Sequence, residues 1–282
     1  MAWDLFGFKK RRRERVRSEP FPESWRALID ADLPHVRFLD AEEREELEET
    51  ILLFFDRIAF EGAGGFEVTE EVKVLIAAQA CLLLIGQGDQ EVYPRLSSVV
   101  VYPASWFVEA EQVNPDGTVS VRTQRRLGES WGAGTLVLSW DDVLRGAADV
   151  NDGQNVVIHE FAHQLDSAEP WSAGAPVLPN RAMYTSWARV LGTEYRALVD
   201  DIENHRKHLL DAYGATNAAE FFAVTTEFFF ERPRALRQRH PELYEQFRLF
   251  FQQDPAARYD RARQQRSAQA KAARRAARKA DK

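Results

Sequence analysis

The sequence predicts an α+β fold, because segments with helical and strand-like patterns are grouped along the chain instead of alternating. Helical patterns occupy residues 40–58 and 70–86, strand-like patterns occupy residues 97–140, and helical patterns return from residue 181 onward. The chain has 282 residues and is 45% hydrophobic, which is enough to bury a sizeable core. We therefore expect N-terminal helices, a small mixed sheet and a helical C-terminal part.

The N-terminal segment carries signals for two helices. Asp40 and Glu43 have the spacing of a capping box, and apolar residues recur after them at helical intervals. Residues 61–68, which read EGAGGFEV, predict a loop. Residues 70–86 are apolar along most of their length and predict a buried helix.

Three β-rich runs follow, SSVVVYPASWFV, TVSVRTQ and GTLVLSW, and turn-forming residues separate them. They predict a sheet within residues 97–140. The last run, GTLVLSW, is either an edge strand along which an extended peptide docks by backbone pairing or a central strand of the core.

Composition limits the class of protein. Cys81 is the one cysteine of the sequence, which excludes a disulfide framework and structural zinc sites built from several cysteines. Residues 1–17 contain no apolar stretch of signal-peptide length, and the longest apolar run, residues 74–85, is too short to span a bilayer. We expect a cytoplasmic protein with no membrane span.

The net charge of −7 conceals an uneven distribution. Residues 9–17 hold 7 basic and 1 acidic side chains, and residues 258–282 hold 10 basic and 2 acidic ones. The rest of the chain has 20 basic and 41 acidic side chains, so an acidic body lies between two basic ends. Such ends are usually solvated and offset the charge of the body. The alternative, weak contact with nucleic acid or anionic lipid, has no interleaved aromatic residues to support it.

The chemistry-bearing motif is HEFAH at residues 159–163, within VVIHEFAHQLDSAEP. On a helix, His159 and His163 lie one turn apart on one face and can present ring nitrogens to one metal ion. Glu160 lies one step round the helix and can reach a water on that metal as a general base. The alternative is a pair of core histidines whose neighbours satisfy them, but a buried cluster without a partner is costly.

A catalytic zinc site takes three protein ligands. Glu169 follows the motif, but Asp166 stands where a glycine would let the chain turn back. Glu220, in the aromatic segment NAAEFFAVTTEFFF, is the other candidate, and its alternative role is to complete a capping box with Asn217. Glu227 either supports a ligand or pairs with a buried arginine.

Two segments, HEFAHQLD and DAYGATNAAEFFAVTTEFFF, together resemble the Mlc titration factor A (MtfA) family of bacterial zinc peptidases. The likeness extends through VVVYPASWFV, GTLVLSWDDV and FQQDP and covers roughly residues 20–257, between a basic leader at residues 1–19 and a basic tail at residues 258–282. The catalytic domain of anthrax lethal factor is similar more distantly. The resemblance implies a zincin-like metallopeptidase domain whose active-site helix carries the H-E-x-x-H motif.

The resemblance also implies the site residues. It makes His159, His163 and Glu220 the ligands of one Zn²⁺ per chain, and Glu160 the general base that acts on the zinc-bound water. It places Tyr213 near the metal, where the hydroxyl group stabilises the transition state.

The implied activity is an aminopeptidase-like hydrolysis of a peptide or protein substrate. It comes with a regulatory role through binding Mlc, a glucose-responsive transcriptional repressor, and so with an influence on the glucose phosphotransferase system. The alternative is a non-catalytic binding protein with a structural zinc site. Asp166 is expected either to accept the second ring N–H of a ligand histidine or to bond the end of its own helix.

Overall fold

The computed structural model describes residues 11–88, 90–113, 119–126, 128–131, 134–166, 175–178 and 180–280. Its helices are α1 (11–17), α2 (Glu23–Asp32), α3 (Ala41–Arg57), α4 (Glu70–Leu82), α5 (Trp140–Ala148), α6 (Val156–Asp166), α7 (Arg181–Glu203), α8 (Ala218–Glu231), α9 (Pro233–Arg239), α10 (Pro241–Phe251) and α11 (Pro255–Ala280). Its strands are β1 (Ala59–Gly62), β2 (Ser98–Tyr102), β3 (Trp106–Val113), β4 (Val119–Arg126), β5 (Gly128–Trp131) and β6 (Thr135–Ser139). Two 3-10 turns cover Pro34–Phe38 and Ala212–Ala215.

The main sheet has four strands in the order β1-β2-β6-β5. Strands β1, β2 and β6 are parallel, and β5 is antiparallel to β6. Strands β3 and β4 form a separate antiparallel pair. The mostly helical chain with a small mixed sheet is consistent with the predicted α+β class.

The run GTLVLSW contains β6, which lies between β2 and β5. It is therefore a central strand, and the alternative of a peptide-binding edge strand is wrong for this segment. Residues 136–139 of this strand are fully buried, as a strand flanked on both sides requires.

Strand β1 corrects the loop predicted for residues 61–68, since it includes residues 61 and 62. Its sequence, AFEG, lacks the alternation of apolar and polar residues by which strands are recognised in a sequence. Strand β1 pairs with β2 in parallel, and α4 connects the two. Helix and strand therefore alternate once in a fold whose elements are otherwise grouped.

Helix α3 begins as its sequence predicts. The side chain of Asp40 accepts a hydrogen bond from the Glu43 N–H at 3.1 Å, and Glu43 returns one to the Asp40 N–H at 3.0 Å. Helix α4 begins after its N-cap residue, Thr69, and ends at Leu82. The helix predicted for residues 70–86 is therefore confirmed, but it is four residues shorter.

Helices α4, α6 and α8 form the centre of the core. Nearly every side chain of α4 from Val72 onward is buried, and all of those from Phe221 to the end of α8 are buried. Phe161 of α6 packs between Phe54 and Tyr93. No helix in the described ranges combines the length and the hydropathy that crossing a membrane requires.

Some of the described basic residues near both ends pair with the acidic helix α3. Arg12 of α1 contacts Asp56 at 2.9 Å. Near the other end, the buried Arg258 donates to Glu43 at 2.8 Å. These pairs offset part of the negative charge of the body.

Candidate metal centre

The segment before α6 fixes the start of this helix. Asn155 caps α6, because its Oδ1 accepts a hydrogen bond from the Ile158 N–H at 3.0 Å. Its Nδ2 donates to Gln79 Oε1 at 3.0 Å and to the Gly146 carbonyl at 3.1 Å. One buried side chain therefore joins the start of α6 to α4 and α5, and His159 follows one turn later.

The start of α8 brings Glu220 toward α6. Asn217 caps α8 by itself, since its Oδ1 accepts from the N–H groups of Ala219 and Glu220 at 2.9 and 3.0 Å. The Glu220 carboxylate points at the histidines instead of the backbone of Asn217. Its Oε2 lies 3.0 Å from His159 Nε2 and 3.4 Å from His163 Nε2.

The structure therefore brings together the three residues predicted as ligands. His159, His163 and Glu220 each offer one ligand atom, and these atoms all lie within 4.8 Å of one another. The two imidazole centroids are 4.9 Å apart and nearly perpendicular. All three residues are partly buried, and each keeps some exposure to solvent.

Glu227 supports His159 from α8. Its Oε1 lies 2.8 Å from His159 Nδ1, and its Oε2 accepts a hydrogen bond from the N–H of Asn155. Glu227 is therefore the acceptor for the second ring nitrogen of His159. Asp166 is buried at the end of α6. Of the two roles considered for Glu227, the structure favours support of a histidine.

The pKa values follow from burial and from these contacts. Burial raises the pKa of Glu160, while both histidines oppose this. Burial also opposes the charge on Glu220, but hydrogen bonds from His159 and His163 outweigh it and hold the pKa of Glu220 well below its usual range. Burial would lower the pKa of His159, yet Glu227 and Glu220 raise it well above its usual value.

This charge pattern fits a bound cation. The carboxyl groups of Glu160, Glu220 and Glu227 lie near the imidazoles of His159 and His163 and stabilise a positive charge at the ring nitrogens. A metal ion supplies that charge when it takes the place of a ring proton. Two nitrogens and one carboxylate oxygen are a donor set that Zn²⁺ accepts at catalytic sites.

Tyr213 lies near His159. It belongs to the 3-10 turn Ala212–Ala215, where Asp211 accepts a hydrogen bond from the Tyr213 N–H at 2.8 Å. Its ring centroid is 5.9 Å from that of His159, and the residue is 51% exposed. Glu169, the alternative third ligand, lies outside the described residues.

Sequence reasoning missed Glu231, whose contacts lie beside the start of α6. Its Oε2 accepts a hydrogen bond from the Gly153 N–H at 3.0 Å. The signal available was its helical spacing from Glu220 and Glu227, which places the three glutamates on one face of α8.

Comparison with known proteins assigns the family. The family described as glucose-regulated metallo-peptidase M90 matches residues 8–252. An uncharacterized protein of Synechocystis is 39% identical over 246 residues, which are 86% of this chain and 89% of the relative. Mlc titration factor A of Serratia proteamaculans is 35% identical over 73% of this chain and 78% of its own length. Mlc titration factor A of Escherichia coli is 34% identical over 70% of this chain and 74% of its own length.

The match spans most of the chain and includes α6 and α8 with the clustered histidines and glutamate. The family description, a metallo-peptidase, agrees in kind with the donor set of this cluster. The chain therefore belongs to the glucose-regulated metallo-peptidase M90 family, together with the Mlc titration factor A proteins that it resembles.

Proposed function

We propose that this protein is a zinc-dependent, aminopeptidase-like peptidase with a zincin-like catalytic domain at residues 20–257. The observation that carries the proposal is the convergence of ligand atoms from His159, His163 and Glu220 within 4.8 Å. Membership of a metallo-peptidase family supports it.

The three side chains would hold one zinc ion, and Glu227 would keep the His159 ring in the orientation that binding requires. Zinc in such a site lowers the pKa of a coordinated water to about 7 and polarises the carbonyl of the bond to be cleaved.

Glu160 is proposed as the general base. It follows His159 directly on α6, is buried, and has a raised pKa because of that burial. A raised pKa suits a carboxylate that takes a proton from the attacking water and then gives it to the leaving amine. Tyr213 is proposed to donate a hydrogen bond from its hydroxyl group to the developing oxyanion, which its place near His159 supports.

The substrate peptide is proposed to pair with β5. This strand forms one edge of the main sheet and, like β6, packs against α6. An extended peptide adds to an exposed strand edge through main-chain hydrogen bonds. The proposed docking strand is therefore the neighbour of β6, the strand within GTLVLSW.

A regulatory role is proposed from the relatives, whose name, Mlc titration factor A, links them to Mlc. A non-catalytic protein that binds this repressor and holds zinc only as a structural ion is the second candidate. We also propose a cytoplasmic location. The basic segments 1–19 and 258–282 are proposed to lie outside the catalytic domain.

The test is Glu160→Gln. The variant should keep its zinc and lose hydrolysis of chromogenic aminoacyl and peptidyl substrates, by about 100-fold or more. A chelator should abolish wild-type activity, and added zinc should restore it. A variant as active as wild type would refute Glu160 as the base. A wild-type protein that cleaves no substrate with zinc bound would favour the second candidate.

A further inference from the structure

Three glutamates of α8 lie on the face that meets α6. Glu227 and Glu231 follow Glu220 by seven and eleven residues, and a helix of about 3.6 residues per turn returns to nearly the same face at both intervals. Glu220 reaches both histidines, and Glu227 reaches the other ring nitrogen of His159. The proposed function gives Glu231 no part.

Glu231 and Glu227 hold alternate amides of the segment that leads into α6. Glu231 accepts from the N–H of Gly153 at 3.0 Å, and Glu227 accepts from the N–H of Asn155. Both carboxyl groups are buried. The segment from residue 153 to 155 is thus hydrogen-bonded twice to α8, one helical turn apart.

Packing leaves this segment little freedom to move. Gly153 has φ +83°, and a Cβ built on it would lie 2.6 Å from the ring of Phe228. The His159 N–H donates to the Asn155 carbonyl at 2.9 Å. A shift of the segment along α8 would therefore carry His159 with it.

We propose that Glu231 is a positioning residue of the metal centre. Through Gly153 it fixes where α6 begins along α8, and so fixes the separation between the imidazoles on α6 and the Glu220 carboxylate on α8. The inference rests on the proposed metal site but does not require peptidase activity.

The surroundings of Glu231 indicate that the length of its side chain, not a negative charge, matters for the hydrogen bond to Gly153. The Glu231 side chain is fully buried, and His35 Nε2 lies 3.6 Å from its Oε1. Burial raises the pKa of Glu231 to about 9 and lowers the pKa of His35 to about 4, so both are neutral near pH 7. A glutamine side chain has the same length but cannot ionise. An aspartate side chain keeps the carboxyl group but is one methylene shorter.

The experiment compares Glu231→Gln and Glu231→Asp with the wild-type full-length chain. Zinc affinity is measured by competition with a chromogenic chelator, and ligand geometry by the visible absorption of the Co²⁺-loaded protein. Thr226→Val is the matched control, because the Thr226 hydroxyl is buried in α8 and bonds the Phe222 carbonyl in its own helix. Far-UV circular dichroism verifies that each variant is folded.

We expect Glu231→Gln and Thr226→Val to stay within about threefold of the wild-type zinc affinity. Glu231→Asp should weaken it by about 10-fold or more and alter the cobalt spectrum, as loss of a supporting hydrogen bond does at other metal sites. Wild-type behaviour of Glu231→Asp overturns the proposal, and so does a greater loss in Glu231→Gln than in Glu231→Asp.

The two proposals fail in different ways. A wild-type chain that binds neither Zn²⁺ nor Co²⁺ overturns both the metal centre and the positioning by Glu231. A chain that binds both ions but cleaves no peptide contradicts the peptidase alone, and the comparison of variants still decides the role of Glu231.

Discussion

Replacing Glu231 by glutamine is expected to change how the free energy of unfolding depends on pH. Burial raises the pKa of this side chain to about 9 from an ordinary value of 4.5. Between these values the unfolded chain has released the proton and the native chain retains it. The unfolded state then binds fewer protons, so the free energy of unfolding falls as the pH rises.

The magnitude follows from the width of that interval. One pH unit corresponds to about 1.4 kcal/mol, so the wild type loses about 3 kcal/mol between about pH 6.5 and pH 9 that the glutamine variant keeps. His35 acts in the opposite direction at lower pH. Burial lowers its pKa from 6.5 to about 4, and between these values its contribution makes stability rise with pH. Above about pH 6.5, the slope due to Glu231 is no longer offset by His35.

Urea unfolding of the chelator-treated proteins at a series of pH values from about 6.5 to 10 measures this difference. Circular dichroism and tryptophan fluorescence should give coincident transitions. The stability of Glu231→Gln relative to wild type should grow by about 3 kcal/mol up to pH 9 and then level off. Thr226→Val, which changes no titratable group, should differ from wild type by the same amount at every pH. A difference for Glu231→Gln that stays constant or shrinks as the pH rises would refute the reasoning.

Two further predictions concern Glu227, which contacts His159 of α6, and Gly153, which lies just before α6. Glu227→Ala removes the acceptor at His159 Nδ1 and should weaken zinc binding by about 10–100-fold in a chelator competition; unchanged affinity would contradict the supporting role. Gly153→Ala places a Cβ 2.6 Å from the Phe228 ring at φ +83° and should lower the free energy of unfolding by about 2–4 kcal/mol. Its control, Gly192→Ala in the middle of α7, meets no atom closer than 3.5 Å and should stabilise by about 0.5–1 kcal/mol; equal losses in both would argue against the clash.

Local signals predicted the elements whose ends are set by nearby residues. The capping box of Asp40 and Glu43 needs only four consecutive residues, and both of its hydrogen bonds form. Strand β1 escaped prediction because its four residues depend on pairing with β2, far along the chain. The position of β6 inside the sheet likewise depends on strands on both sides of it.

The site divides in the same way. The spacing of His159 and His163 is a property of one helix, so the sequence alone places them together. The orientation of Glu220 is not a property of one helix, because the same four residues could also form a capping box between Asn217 and Glu220. Packing of α8 against α6 directs the carboxylate to the histidines, and Asn217 caps the helix alone. The contacts of Glu231 arise from the same packing.

The zinc content of Glu220→Ala tests the central claim most directly, measured by elemental analysis beside the wild type and Glu169→Ala. We predict one zinc ion per chain in the wild type and in Glu169→Ala, and little or none in Glu220→Ala. Full zinc occupancy in Glu220→Ala would contradict the metal centre formed by α6 and α8, and its loss in Glu169→Ala would place the third ligand after the motif.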